Sequence, residues 1–393
     1  MNADNGEEAM GGQRGGRKAG STIAWIGLSS IYLPLAKAVS DAKVLTGRQK
    51  PLEGVWMLFA EMECADGARG LGFSYALRSG GPGQFAHARE VAPALIGEDA
   101  NDIGKLWNKL VWLGASVGRS GLALQGIAAL DTALWDLKSK RAGLSLAKFL
   151  GAHRDSVRCY NTSGGYLQAP IEEVKELSRR SLERGMGGIK MKVGQPDWRL
   201  DLARVEALRA HLGDSVPLMV DANQQWDRTT ALRMGRALET FGLEWIEEPL
   251  DAYDVEGHAA LAAALDTPVG TGEMLTSLAE HRALIDTKAV DIIMPDAPRI
   301  GGITPFVKLM NFAEYGKFKM APHFVMEIHI HLAAAYPEET WVEHFEWLEP
   351  LFNERLEIRG GRMIVPRRPG LGLSLHERVG EWTRERFETG THP

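Results

Sequence analysis

The chain has 393 residues, of which 45% are hydrophobic and 24% are charged, and its formal net charge is −6. This length exceeds that of one typical core and predicts two domains, or a barrel with an addition. The net charge does not indicate the basic surface of a nucleic-acid-binding protein. The sequence contains no run of about 18 apolar residues, so no membrane span is predicted.

The N-terminal segment and the cysteines bear on the cellular compartment. Residues 1–20 are rich in glycine and charge and lack the apolar stretch of a secretory signal, so we expect them to be disordered. Cys64 and Cys159 are too few for a disulfide framework and lack metal-ligand spacing. We therefore expect a cytoplasmic protein. We also expect a homo-oligomer, although the sequence does not give the number of subunits.

Residues 21–150 are predicted to form an α+β capping domain. The apolar segment Val55–Glu63 predicts a strand, and polar loops are expected at Tyr32–Lys50 and Tyr75–Gln84. The stretch Gly121–Lys140 has apolar residues at helical spacing and no proline, which predicts a long, buried helix.

From about residue 157, short apolar strands alternate with helical segments such as Asp201–Leu212 and Thr229–Phe241. This alternation indicates a parallel sheet, and eight strands favour a TIM-like barrel over residues 151–345. The predicted strands are Arg158–Asn161, Gly188–Val193, Pro217–Val220, Leu243–Glu247, Val269–Gly272, Ile292–Met294, Lys319–Pro322 and Trp341–His344. The turn-rich residues 346–393 are not a further barrel unit, and we expect them to pack back on the capping domain.

Three carboxylates follow three successive predicted strands at a constant interval. Asp221, Glu247 and Glu273 are separated by 26 residues each, about one β/α unit, which predicts that they share one rim of the barrel. Three neighbouring carboxylates repel one another unless a cation lies between them. Ligands that are all oxygen favour Mg²⁺.

Two lysines lie on the second predicted strand, Gly188–Val193. Lys190 and Lys192 are two residues apart, so both side chains share one face of the strand. A neighbouring ammonium group and a nearby metal would lower the pKa of a lysine toward the range of a general base.

Further acid/base groups follow the later strands. Asp296 and His323 lie one β/α unit apart, and an aspartate beside a histidine fixes its tautomer and raises its basicity. Glu343 ends the last predicted strand. Beside a metal-bound substrate carboxylate it would tend to be protonated and donate a hydrogen bond.

Two further motifs receive other interpretations. His329 and His331 form an HxH pair of the kind found in metallohydrolases, but it follows the seventh strand rather than the first. We therefore disfavour an amidohydrolase. Glu248 points away from its neighbour Glu247 on a strand, which indicates a structural or supporting acid.

The motifs KMK, VDAN, WIEEP, GTGEM, PDAPRIGG and APH occur in one order, and this order resembles the mandelate racemase group of the enolase superfamily over roughly Gly27 to the end. Four segments resemble more narrowly the dehydratases of that group that act on the diacid sugars L-talarate and galactarate. These segments are KVGQPD, ANQQWDR, EEPLDAYD and WVEHFEWLEPLFNER.

The resemblance implies a (β/α)7β barrel under an α+β capping domain. It implies Mg²⁺ held by Asp221, Glu247 and Glu273, with Lys192 as one acid/base group and the His323–Asp296 dyad as the other. The remaining implied roles are substrate-carboxylate contact for Lys190, binding near the metal for Asn223, and electrophilic donation for Glu343.

Substrate specificity is expected to come from the capping domain. A diacid sugar carries a second carboxylate far from the metal, which needs cations or backbone donors. The candidates are Asp41, Ala42 and Lys43 on one polar loop and Leu77 and Arg78 on the other.

The reaction expected is Mg²⁺-dependent dehydration of the diacid to 5-keto-4-deoxy-glucarate, with some epimerisation. A racemase or epimerase would use the same two bases without elimination, and a dehydratase acting on a different acid sugar remains open. A barrel that has lost its chemistry is disfavoured, because the set of bases and ligands is intact.

Overall fold

The structure, a computed structural model, describes residues 20–162 and 165–393. The segment 1–20, predicted to be disordered, lies outside the described residues except for Gly20. Among the described helices, none combines the length and hydrophobicity that crossing a membrane requires.

The N-terminal part is an antiparallel sheet covered by helices. Its elements are β1 (Ile23–Val39), α1 (Ala42–Leu45), β2 (Leu52–Cys64), β3 (Arg69–Leu77), α2 (Gly81–Val91), α3 (Ile103–Leu113), α4 (Gly121–Arg141) and α5 (Leu146–Phe149). Helix α4 packs closely on β3, because Gly70 and Gly72 lack side chains: a Cβ on Gly72 would lie 2.1 Å from the Ala129 carbonyl oxygen. Residues 32–39, predicted to be loop, instead extend β1, and Pro34 still pairs with Gly54.

The second part alternates parallel strands with helices. Its strands are β4 (Ser156–Asn161), β5 (Gly188–Lys192), β6 (Leu218–Asp221), β7 (Ile246–Glu247), β8 (Val269–Thr271), β9 (Ile292–Ile293), β10 (Lys319–Met320) and β11 (Trp341–His344). Its helices are α6 (Ile171–Glu183), α7 (Trp198–Leu212), α8 (Arg228–Leu238), α9 (Val255–Ala262), α10 (Leu278–Asp286), α11 (Ala297–Ile300), α12 (Ile303–Gly316) and α13 (Met326–Ala335).

These eight strands follow one another around a barrel, with β11 returning to pair in parallel with β4. Within the described part of the chain, ladders join every neighbouring pair except β10 and β11. The rim is bridged there by the backbone amide of Phe324, which donates to Glu343 Oε2 at 3.1 Å. The predicted TIM-like barrel with an α+β capping domain is confirmed, with one gap in its hydrogen-bonded ring.

The C-terminal residues contact both parts. The hairpin β12 (Ile358–Arg359) and β13 (Arg362–Ile364) pairs with β4 of the barrel. After α14 (Val379–Trp382), strand β14 (Thr383–Gly390) pairs antiparallel with β1. The chain therefore returns to the N-terminal sheet and completes its edge.

A shared core holds the capping domain on the barrel. Phe59 and Phe73, from β2 and β3, contact Phe352 of the C-terminal segment with ring centroids 6.0 and 5.5 Å apart. On the other side, the buried Asp131 of α4 accepts hydrogen bonds from the Thr304 amide and hydroxyl at the start of α12. These contacts place the end of β3 over the mouth of the barrel.

Candidate active site

The three carboxylates predicted to share a rim lie together at the barrel mouth. Asp221 ends β6, Glu247 ends β7 beside it, and Glu273 follows β8. All three are buried, and one oxygen from each lies within 4.8 Å of the others. Burial raises the pKa of Glu247 despite the opposing charge of Lys190. A buried, all-oxygen cluster of this size matches the coordination that Mg²⁺ and similar hard cations prefer.

Lys190 and Lys192 project from β5 toward this cluster. The Lys190 ammonium donates to Glu247 Oε1 at 2.6 Å and lies 2.9 Å from Glu343 Oε1, while Lys192 pairs with Asp221 Oδ2. Burial disfavours both charges, but the carboxylates outweigh it and raise the pKa of each lysine. The upward direction follows because the carboxylates outnumber the ammonium groups, and the lowered lysine pKa expected beside a metal stays a prediction.

His323 and Asp296 form the predicted dyad at the mouth of the barrel, beside Glu273. Nδ1 of His323 lies 2.9 Å from Asp296 Oδ2, and its Nε2 lies 3.4 Å from Glu273 Oε2. Burial lowers the pKa of His323, but the charges of Glu273 and Asp296 outweigh it, so the net direction is upward. Because an ionised Asp296 only accepts, we assign the Nδ1 proton to the imidazole, which leaves Nε2 on the cavity side.

Glu343 is the residue before the last in β11 and is held from three sides. It accepts from the Thr162 hydroxyl at 2.6 Å and the Phe324 amide at 3.1 Å, and it lies beside Lys190. Burial opposes its ionisation, but the charges of Lys190 and His323 keep the pKa of Glu343 below its usual range. In this arrangement Glu343 is an ionised acceptor, and its expected role as a protonated donor beside a bound substrate carboxylate stays a prediction.

Asn223 lies directly after β6 with a left-handed backbone at φ 45°. The side-chain nitrogen Nδ2 of Asn223 donates to Asp221 Oδ2 at 3.2 Å. Its Oδ1 is buried, and among the described residues no group donates to it. A buried carbonyl oxygen without a donor beside three carboxylates is available to a cation or a substrate hydroxyl.

The capping-domain candidates lie above the same mouth. Asp41 accepts from Arg78 Nη2 at 3.1 Å, and Lys43 Nζ lies 3.9 Å from Glu248 Oε2 of the barrel. Asp41, Lys43, Leu77 and Arg78 all line one cavity of about 240 Å³. Ala42 is fully buried instead and packs beside the backbone at Gly194.

This cavity joins the capping loops to the barrel chemistry. From the barrel it is lined by Lys192, Asn223, Glu273 and His323. Lys190, Asp296 and Glu343 lie behind these groups as buried partners. The structure thus brings every predicted site residue except Ala42 to the cavity wall or to the layer that supports it.

Several groups at the site were not predicted from the sequence. Arg299 lines the cavity and donates to the Glu273 carbonyl at 2.7 Å. Its position three residues after Asp296 could have indicated that the two residues are neighbours on a helix. Tyr75 and Thr162 contact Asp296 and Glu343 across 221 and 181 residues, respectively. Contacts over such separations leave no local pattern.

The HxH pair does not form a metal site. His329 accepts from the Ala297 amide at 3.0 Å, and His331 accepts from the Ala147 amide at 3.2 Å. Burial lowers the pKa of both imidazoles to about 4. The two side chains are neutral packing groups with different partners, as the interpretation against an amidohydrolase requires.

Comparison with known proteins gives the same assignment for both parts of the chain. Residues 54–151 match the model of the mandelate racemase/muconate lactonizing enzyme N-terminal domain, and residues 173–379 match that of the enolase C-terminal domain-like family. The chain is 61% identical to an L-talarate/galactarate dehydratase from Salmonella typhimurium over 96% of this chain and 94% of that protein.

Two solved structures are similar throughout. The L-talarate dehydratase from Polaromonas sp. JS666, complexed with Mg and L-glucarate, has 68% identity and a TM-score of 0.93 over 94% of this chain and all of that one. The L-talarate/galactarate dehydratase from Salmonella typhimurium, liganded with Mg and L-lyxarohydroxamate, has 59% identity and a TM-score of 0.95 over the whole of both chains.

Proposed function

Because the chain belongs to the mandelate racemase/muconate lactonizing enzyme family of the enolase superfamily, we propose that it is a Mg²⁺-dependent dehydratase of L-talarate and galactarate. The observation that carries the proposal is that two proton-transfer groups, Lys192 and His323, line one cavity beside a buried carboxylate triad. The similarity to dehydratases of these two diacids supports the choice of substrate.

The residues present fit a divalent cation. Asp221, Glu247 and Glu273 would hold it, with the free Oδ1 of Asn223 nearby. When bound, Mg²⁺ supplies positive charge that favours loss of the proton next to the substrate carboxylate. It would also offset the carboxylate charge that now raises the pKa of Lys192 and prepare this lysine for use as a base.

Lys192 and His323 transfer the protons. One of them takes the proton from the α-carbon, and the C–H electrons move toward the carboxyl group to give an enediolate. These electrons then form the double bond between the α- and β-carbons as the β C–O bond breaks. The leaving hydroxyl departs as water with a proton from Lys192 or His323, and the enol tautomerises to 5-keto-4-deoxy-glucarate.

Two acid/base groups on different strands explain the use of two epimers. Lys192 ends β5 and His323 follows β10, three strands away by the shorter way around the eight-stranded barrel. Groups placed this far apart on the rim approach a bound substrate from opposite faces. Each epimer then presents its α-proton to one base, and reprotonation by the other base gives some epimerisation.

The other site residues bind and orient the substrate. Lys190 and Glu343 flank the position of the reacting carboxylate, and added negative charge there would raise the pKa of Glu343 and let it donate a proton. We assign the distal carboxylate to Lys43 and Arg78, oriented by Glu248 and Asp41. Asp296 holds the imidazole of His323.

An epimerase, or a dehydratase of another acid sugar, is the alternative. A screen of acid-sugar stereoisomers with Mg²⁺ decides between them by 2-keto acid formation. L-Talarate and galactarate should give the keto-deoxy product, and substrates without a β-hydroxyl should show only α-proton exchange. Product from a different stereoisomer alone would replace the assigned substrates.

We further propose a homo-oligomeric, cytoplasmic enzyme. The free and buried Cys64 and Cys159 support a reducing compartment. We also propose that residues 21–150 form the capping domain, 151–345 the catalytic barrel and 346–393 a segment that packs back on the capping domain. Pairing of β14 with β1 supports the last boundary.

A further inference from the structure

The side chain of Tyr75 reaches from the capping sheet into the barrel site. Tyr75 lies on β3, opposite Met57 of β2, and is 1% exposed. Its ring meets Phe324 edge-on with centroids 4.8 Å apart, and the guanidinium carbon of Arg299 lies 5.6 Å from the ring centroid. Gln84 donates to the Tyr75 carbonyl at 2.9 Å. These contacts fix the side chain in one position.

The Tyr75 hydroxyl contacts the dyad directly. It donates to Asp296 Oδ2 at 2.6 Å and lies 3.4 Å from His323 Nδ1. Burial raises the pKa of Tyr75 well above its usual value, so the hydroxyl keeps its proton and remains a donor.

With this contact, both oxygens of the Asp296 carboxylate are occupied. Oδ1 accepts from the Arg299 amide at 3.1 Å, and Oδ2 lies against both the Tyr75 hydroxyl and His323 Nδ1. A carboxylate held at both oxygens cannot rotate freely. Its plane fixes the imidazole with Nδ1 protonated and Nε2 directed to the cavity.

We propose that Tyr75 is a positioning residue of the Asp296–His323 dyad, supplied by the capping domain, and that it acts only on the proton transfers that use His323. This inference rests on the proposed function. Lys192 pairs instead with Asp221, at the end of a different strand, so transfers through Lys192 do not depend on the hydroxyl. The capping domain then contributes to catalysis on one face of the substrate as well as to recognition.

The test compares Tyr75→Phe with Tyr336→Phe in the Mg²⁺-loaded enzyme. Tyr336 is a matched control, because it is equally buried and its hydroxyl donates to the Phe318 carbonyl at 2.5 Å, away from the dyad. Lys192→Ala and His323→Asn first assign the α-proton exchange of each epimer in D₂O to one base. Thermal unfolding of both Tyr→Phe variants verifies the fold.

For Tyr75→Phe we expect kcat to fall about ten- to a hundredfold on the His323 face, the range for losing one hydrogen bond to a charged group. KM should not change, and exchange through Lys192 should keep its wild-type rate. Tyr336→Phe should leave both faces unchanged. In a His323→Asn background, adding Tyr75→Phe should cause no further loss.

Equal losses on both faces, a rise in KM, or a further loss in the His323→Asn background would each overturn the positioning role. Wild-type rates on both faces in Tyr75→Phe would do the same while leaving the proposed function intact. If the wild-type enzyme neither exchanges nor dehydrates either diacid, the proposed function fails, and this inference fails with it.

Discussion

At the scale of single residues, the site depends on charges that burial alone would remove. Lys190 is fully buried, yet its carboxylate neighbours keep it protonated and raise its pKa. Lys192 shows the same balance. The KMK spacing predicted that both lysines face one way, but it gave no count of the carboxylates around them. The lower lysine pKa expected beside a metal therefore stays a prediction for the metal-bound site.

The two acid/base groups should each be indispensable. Lys192→Ala and His323→Asn should each reduce dehydration by at least about 10²–10⁴-fold, because each removes a group that moves a proton in the reaction. The rate of 2-keto acid formation measures this loss, and circular dichroism verifies the fold. A variant that keeps near wild-type rates on both diacids would show that its residue has another role.

At the scale of helices and strands, the sequence predicts what is local. The eight barrel strands lie within a few residues of their predicted positions, because each is a short apolar run between helical segments. The constant interval of the carboxylates placed them on one rim for the same reason. The contacts between capping domain and barrel were not predictable, since Tyr75–Asp296 and Asp131–Thr304 join residues 221 and 173 apart.

The contact between α4 and α12 should make stability depend on pH. Burial raises the pKa of Asp131 to about 7. Between about pH 4 and pH 7 the folded chain therefore holds a proton that the unfolded chain has lost, and stability falls as pH rises, by up to about 1.4 kcal/mol per unit. Asp131→Asn removes this slope.

Chemical denaturation at pH 5 and pH 8 measures the effect. Relative to wild type, Asp131→Asn should become more stable at the higher pH. A difference between variant and wild type that is the same at both pH values would mean that Asp131 does not titrate in this window.

At the scale of the whole molecule, one cavity is built by two parts of the chain. The barrel contributes the carboxylates and bases, and the capping domain contributes Lys43, Arg78 and the hydroxyl of Tyr75. The C-terminal strand β14 ties the ends together by pairing with β1. The sequence predicted the barrel carboxylates and bases and, on the capping loops, Lys43 and Arg78, whereas Arg299 and the hydroxyl of Tyr75 became apparent only in the structure.

Metal binding should stabilise the folded molecule, because the triad converges only when the barrel is formed. At 100 times its dissociation constant, Mg²⁺ should add about 2.7 kcal/mol to the free energy of unfolding. Chelation should abolish turnover, and Mg²⁺ should restore it. Asp221→Asn should lose both responses, and full activity after exhaustive chelation would contradict a role for the triad in metal binding.

Proton NMR in D₂O with each purified epimer tests most directly whether one cavity works on both faces of its substrate. L-Talarate and galactarate should both give 5-keto-4-deoxy-glucarate, and the remaining substrate should carry solvent deuterium at the α-carbon. Turnover of one epimer only, with no exchange into the other, would show that a single base operates and would contradict the two-faced site.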